Sequence, residues 1–382
     1  MTESLNITIR TLTPLWTGGV DATSDRLHAT GIIGSLRWWY EVVVRGLGGR
    51  ACDPSEHSCI FDAEKYKQAA GLPERERLHA AGLCDACQLF GATGWRRRFQ
   101  VRVEAQTQPA WEGGRSLNVR PYGRTRGWFL NPGHLGTIKI NLTGDAQTLG
   151  QMLALFRFLE AWGSLGARPQ LGYGMFEITK LEEIEAPAKR NTWGDAAVGA
   201  LPDLRSFTFF RLQFTPREAN WWTQVSGLRE LRGRRDWTIL EHLAAGGMAP
   251  VMPAIKNYLR FEQRWSSVAL PHWLFGTLRG DERMRSKVAL SWAFRLADWN
   301  TCEIRGWVHL PNDAKGRSAR VEVIAVLRRA LANPQNWQQA LGLQTGFRDA
   351  ALTFAPSASP WQMCDSQAVA TFLNKVQLEA IQ

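Results

Sequence analysis

A strand ending in Thr-Pro occurs twice in this chain, and the segments that follow it recur in the same order. Residues 5–12, LNITIRTL, alternate apolar and polar side chains with β-branched residues and close on Thr13-Pro14 and the Gly18-Gly19 turn, which predicts a strand. SFTFFRLQFTP, 206–216, echoes it. GMAPVMPAIKNYLRFEQ, 247–263, stands where ATGIIGSLRWWYE stood, and HWLFGTLRGDERMRSKVALSWAF repeats the Leu-Phe-Gly, basic, strand order of CQLFGATGWRRRFQVRVEA. Three echoes in register predict an internal duplication with a degenerate second copy.

Within the first copy, Ser35 reads as the N-cap of a helix with apolar residues at Leu36, Trp39, Tyr40, Val43, Val44 and Leu47. Strands follow at FQVRVEAQ and GTIKINLTG, with a Gly- and Arg-rich loop between them to about residue 127. A second helix spans Gln147 to Trp162, and a last strand begins at MFEITKLEEI. The order β-α-β-β-α-β is that of a ferredoxin-like domain. The expected class is α+β, with two tandem ferredoxin-like domains: 1–184 with a cysteine-rich insertion at about 50–90, a linker at 185–204, and 205–382.

With 382 residues, 45% of them apolar, and 18 Trp, the chain is a folded one. Its formal charge is +11, and only nine of 46 basic residues are Lys. Arginine offers a planar fork for phosphate and a flat face for stacking, which makes nucleic acid the leading partner. The alternative is a merely basic protein whose arginines reflect the base composition of its gene. No stretch approaches the ~18 apolar residues of a membrane span and no signal-like start is seen, so no membrane and a cytoplasmic setting are expected.

Four of six cysteines fall between 52 and 87. Cys52-x6-Cys59 and Cys84-x2-Cys87 supply two pairs of thiolates suited to one tetrahedral structural zinc, with His57 as an alternative ligand. A thioredoxin-like redox pair is the rival, but it opens a helix after a strand and leaves Cys52 and Cys59 without a role. Four reduced cysteines in an irregular loop remain the plainest alternative.

Residues 91–126 hold eight Arg and two Glu, with Trp95, Trp111 and Tyr122 among them. Basic groups contact phosphates and aromatic faces stack on unpaired bases, a combination used for single strands; a solvated charged face is the alternative. The Gly-rich loop 163–174 lacks a nucleotide-triphosphate pattern but lets a backbone approach a phosphodiester chain, and Arg168 adds charge to it. No paired carboxylates, nucleophile elbow or H-E-x-x-H occur. His28 is the one candidate general base, a role that would suit attack by an RNA 2′-hydroxyl.

TLTPLWTGG (11–19), GIIGSLRWWYE (31–41), QLFGATGWRRRF (88–99) and GARPQLGYG (166–174) together resemble the repeat-associated mysterious protein (RAMP) superfamily of CRISPR systems. Within it they are most similar to the first-numbered subunit of the type III-B Cmr effector complex. The resemblance implies tandem ferredoxin-like folds that bind guide RNA, and engage target RNA, in a multi-subunit complex of antiviral defence. It implies a place at the guide's 3′ region, beside another RAMP subunit and the repeated backbone subunit, with no active site here. The rival class is a metal-independent endoribonuclease that processes repeat RNA through His28. RNA contact carries over to Arg37, Arg96, Arg97, Arg98, Gly166 and Arg168. It extends to Trp38 and Trp39, of which at least one should face the core. In the second half, Lys256, Arg260, Arg283 and Arg285 are candidates through the internal repeat alone.

Overall fold

Leu5, Ile7 and Ile9 share one face of β1 (Glu3–Thr11), and all three are buried while the residues between them are not. The structure, a computed structural model, describes residues 3–19, 23–181, 201–277, 284–343 and, for the backbone alone, 347–354. Arg283, most of the expected linker and the residues beyond 354 lie outside the described residues.

After β1 come α1 (Ala29–Gly46) and an insertion of three short helices, α2 (Ala63–Gln68), α3 (Glu74–Ala80) and α4 (Asp85–Phe90). Then follow β2 (Gln100–Pro109), a hairpin of β3 (Leu117–Val119) and β4 (Trp128–Leu130), β5 (His134–Gly144), α5 (Ala146–Ala161) and β6 (Phe176–Leu181). The sheet runs β2-β5-β1-β6 and is antiparallel throughout. Counting β1, β2, β5 and β6 as first to fourth, the spatial order is 4-1-3-2, that of the ferredoxin-like β-α-β-β-α-β unit. The hairpin is a departure from expectation, because 117–130 reads in sequence as part of a loop.

The second half contains β7 (Phe207–Pro216), α6 (Trp237–Ala245), β8 (Met248–Ala249), α7 (Met252–Phe261) and α8 (Ala269–Phe275). It continues with β9 (Val288–Leu290), β10 (Ala293–Arg295), β11 (Cys302–His309), α9 (Ala314–Ala332), α10 (Pro334–Ala340) and β12 (Phe347–Phe354). Its sheet runs β12-β7-β11-β10-β8, and β9 pairs with β11 alongside β10. Ser291 and Trp292 interrupt the register, so β9 and β10 act as one bulged strand and the 4-1-3-2 order recurs.

β7 explains why its sequence is apolar at consecutive positions. Phe214 meets Trp221 and Trp337 of its own half at 5.1 and 5.2 Å between centroids. Phe207 and Phe209 instead meet Trp39 of the first half. One continuous apolar core therefore runs through both sheets.

Candidate nucleic-acid interface

α1 starts six residues before the expected cap. Its N-cap is His28, whose side chain makes no capping bond; the His28 backbone N–H donates to Oγ1 of the buried Thr17 at 2.9 Å. Ser35 is inside the helix, where its hydroxyl accepts from the backbone N–H of Gly166 at 3.0 Å. Two residues on, and so about 200° around the helix, Arg37 donates through Nη1 to the carbonyl of Gly91 at 3.2 Å. The Gly-rich loop and the Leu-Phe-Gly turn thus flank α1 on opposite sides. Gly34 and Trp38, four residues apart, are exposed between them.

The Leu-Phe-Gly turn is built the same way twice. Gly91 and Gly276 end α4 and α8 with φ of +86° and +78°. A Cβ on Gly91 would meet Trp95 O and Arg97 N at 3.1 and 2.9 Å; one on Gly276 would meet Met284 O and Ser286 N at 2.5 and 2.8 Å. The backbone N–H of Arg98 donates to Leu89 O, and that of Lys287 to Leu274 O. Arg96 and Arg285 are therefore equivalent positions, and both are exposed. Nearby, Arg97 is half-buried and donates to Phe99 O at 2.8 Å, while Arg98 pairs with Glu74 at 3.3 Å.

Several other expected contact residues spend their side chains on partners within the protein. Trp39 is 2% exposed and packs on Phe158, Phe207, Phe209 and Trp307, so it has no face for a base; Trp38 is 41% exposed. Lys256 is 4% exposed, and its ammonium donates to the carbonyl of Gln170 at 2.7 Å. It joins the second half to the Gly-rich loop of the first, so it lacks the exposure that phosphate contact needs. Burial pulls its pKa down to about 7. Arg260 lies against Nδ1 of His272 at 2.8 Å. Arg37 also pairs with Glu41 at 2.9 Å and donates to Sγ of Cys87 at 3.1 Å.

In the Gly-rich loop, Gly166 has φ +79°, and a Cβ there would sit 2.5 Å from Trp16 O. Arg168, also at positive φ, lies 3.7 Å over the Trp16 ring. Gly172 abuts the backbone of Trp292, whose indole N–H donates to Leu171 O at 2.9 Å. Half of this loop is thus a joint between the two sheets.

The four cysteine sulfurs of Cys52, Cys59, Cys84 and Cys87 lie within 4.8 Å of one another, Cys52 and Cys87 at 3.6 Å. A tetrahedron with zinc–sulfur bonds of about 2.3 Å has edges of roughly 3.8 Å, so the donor set fits that ion. Backbone N–H groups of Cys52 and Cys87 donate to Cys84 Sγ, and that of Cys84 to Cys59 Sγ. The contact with Cys87 draws the Cys84 thiol down to about 5, and burial pushes Cys52 up to about 11. A bound cation would draw the remaining protons off so crowded a set of sulfurs and neutralise the charge left on them. His57 is exposed, bonded to Glu56 O, and stands outside the cluster. Cys84 does open α4, as a redox pair would, but α3 and a turn precede it and the other two sulfurs converge on it. Asp85 was not foreseen: buried, it accepts from Arg75, His79 and the backbone of Arg50, tying the insertion around the cysteines.

His28 also has a partner that spacing did not reveal, since its Nε2 lies 2.7 Å from Oδ1 of Asp25. That hydrogen bond holds the Asp25 carboxyl below its ordinary range. Among the described residues no helix is long and apolar enough to cross a membrane.

The RAMP superfamily model matches residues 8–177, which hold the first sheet, the cysteine insertion and the Gly-rich loop. No curated protein sequence matches the chain. Among solved structures, Cmr1 from Pyrococcus furiosus in its apo form is similar at 15% identity and a TM-score of 0.40, over 81% of this chain and 89% of that one. A chain of the type III-B Cmr-beta complex bound to cognate target RNA is similar at 11% identity and a TM-score of 0.37, over 84% of this chain and 98% of that one. The family likeness is thus carried by residues 8–177, a segment similar to the RAMP superfamily that spans less than half of the chain.

Proposed function

We propose that the chain is a non-catalytic RNA-binding subunit of a type III-B Cmr effector complex, made of two RAMP-type units, the first clipped by a structural zinc on Cys52, Cys59, Cys84 and Cys87. It binds the 3′ region of a guide RNA and engages target RNA in the cytoplasm, beside another RAMP subunit and the repeated backbone subunit. One observation carries the reading: in a chain matched to the RAMP superfamily, the Leu-Phe-Gly turn recurs and presents an exposed arginine, Arg96 or Arg285, at the same point.

The test is a salt series of binding to end-labelled single-stranded RNA, with Arg96→Ala/Arg285→Ala beside wild type and the RNA recovered afterwards. Each phosphate contact removed should flatten the log-log salt slope by about 0.7, with the RNA intact. Salt-independent binding, or none, overturns the proposal.

The His28–Asp25 pair favours a second reading, an endoribonuclease. With Nε2–H donated to Asp25, Nδ1 of His28 is the basic nitrogen able to take a 2′-hydroxyl proton. That enzyme would leave 2′,3′-cyclic phosphate ends, abolished by His28→Ala.

A further inference from the structure

The tertiary fold brings together two arginine-rich segments about 100 residues apart. The loop between β3 and β4, with the residues just before it, carries Arg115, Arg120, Arg124 and Arg126, and no acidic residue occurs between Glu112 and Asp145. The segment before α6, LRELRGRRDW, carries Arg229, Arg232, Arg234 and Arg235, all exposed. The backbone N–H of Tyr122 donates to Ser226 Oγ at 3.0 Å, and Arg115 donates to the carbonyl of Arg235 at 2.9 Å. Gly227, at φ +93°, lets Val119 and Pro121 close in, since a Cβ there would lie 2.9 Å from Val119 Cγ1.

The two segments together hold eight arginines and two carboxylates, Glu230 and Asp236, which pair with Arg229 and Arg115, while Arg124 turns to Asn257 and Phe261 of α7. At the edge of the surface they form, a cavity of about 290 Å³ is lined by Thr223, Gln224, Arg229, Arg232 and Gly342. Beside it Tyr122 is 75% exposed, with the Arg229 guanidinium 5.9 Å from its ring. Two guanidiniums at a hydroxyl- and amide-lined recess suit a phosphodiester, and an exposed ring next to them suits an unpaired base.

We infer that this surface is a second single-stranded RNA site, with a backbone phosphate in the recess between Arg229 and Arg232 and a base stacked on Tyr122. It rests on the RNA-binding reading above but on different residues. Neither arginine segment makes the site alone: the hairpin supplies the ring, and the second half supplies the recess.

The test uses the full chain and a fluorescein-labelled oligouridylate of roughly 20 nucleotides, followed by anisotropy across a salt series. Arg229→Ala/Arg232→Ala should flatten the salt slope by about 0.7 per arginine. Tyr122→Ala should weaken binding about tenfold while Tyr122→Phe retains it. Photocrosslinking of 5-iodouridine RNA to wild type should label Tyr122, a readout that needs no variant to fold. Folded variants that bind like wild type, with crosslinks elsewhere, overturn the inference and leave the Arg96 and Arg285 reading standing. Absence of any RNA binding by wild type overturns both. Inorganic phosphate that displaces the oligonucleotide at matched ionic strength would show an anion pocket without strand recognition, and that too overturns it.

Discussion

Nη2 of Arg37 lies 3.1 Å from Sγ of Cys87 while Nη1 holds the carbonyl of Gly91, so one guanidinium joins α1 to both the cysteine cluster and the arginine-bearing turn. A bound metal would then be coupled mechanically to the arginine-bearing turn. Pure protein should carry one zinc per chain by elemental analysis. Cys59→Ser, which leaves the Arg37–Cys87 contact in place, should lose the ion and lower stability by more than about 4 kcal/mol, as metal loss does. Metal content well below one per chain would remove the zinc from this account.

Trp39→Ala opens a cavity where α1 meets Phe207, Phe209 and Trp307. The cost should be about 3–5 kcal/mol. Because the core is continuous, both halves should still unfold in one step. Denaturant melts followed by circular dichroism and tryptophan fluorescence should coincide; separated transitions would show that the halves are independent.

Lys256 makes stability depend on pH in a definite direction. Its pKa in the fold, about 7, lies below the ordinary 10.5, so between those values the unfolded chain binds a proton that the folded chain does not. This residue's contribution therefore rises with pH from about 7 to about 10, by roughly 1.4 kcal/mol per unit, and is flat below. Lys256→Met should remove that slope. Urea melts of both proteins at pH 7 and 9.5 measure it, and parallel changes in the two would refute the assignment.

Gly166→Ala strains the Gly-rich loop twice, through its φ of +79° and through a Cβ driven toward Trp16 O and Leu15 Cδ1. A loss of about 2 kcal/mol is expected. Thermal melts should show it, and a neutral result would mean that the loop shifts freely on α1.

Much of the fold was legible because burial has a period. The alternation in 5–12 and the 3.6-residue spacing after residue 35 are direct records of one buried face, and β1 and α1 appear there. The start of α1 was misread because Ser35 has the chemistry of a cap, while the hydroxyl serves a partner 131 residues away. The His28–Asp25 and Asp85 contacts were missed for a related reason: carboxylates are common near such residues, and spacing alone does not say which one turns inward.

The sequence by itself determined that β1, α1, β2, β5, α5 and β6 form, that two cysteine pairs lie close enough along the chain to share one site, and that a Leu-Phe-Gly turn with following arginines occurs twice. Those features are local, set by periodicity, ligand spacing and backbone geometry within a few dozen residues. Only the tertiary structure decided that Trp39 is core while Trp38 is exposed, and that Lys256 is buried against Gln170. It alone set Tyr122 beside Arg229. A periodic pattern reports that a side chain is buried but not against what, and a charge reports its sign but not its neighbours. Those are settled when two sheets close on one core.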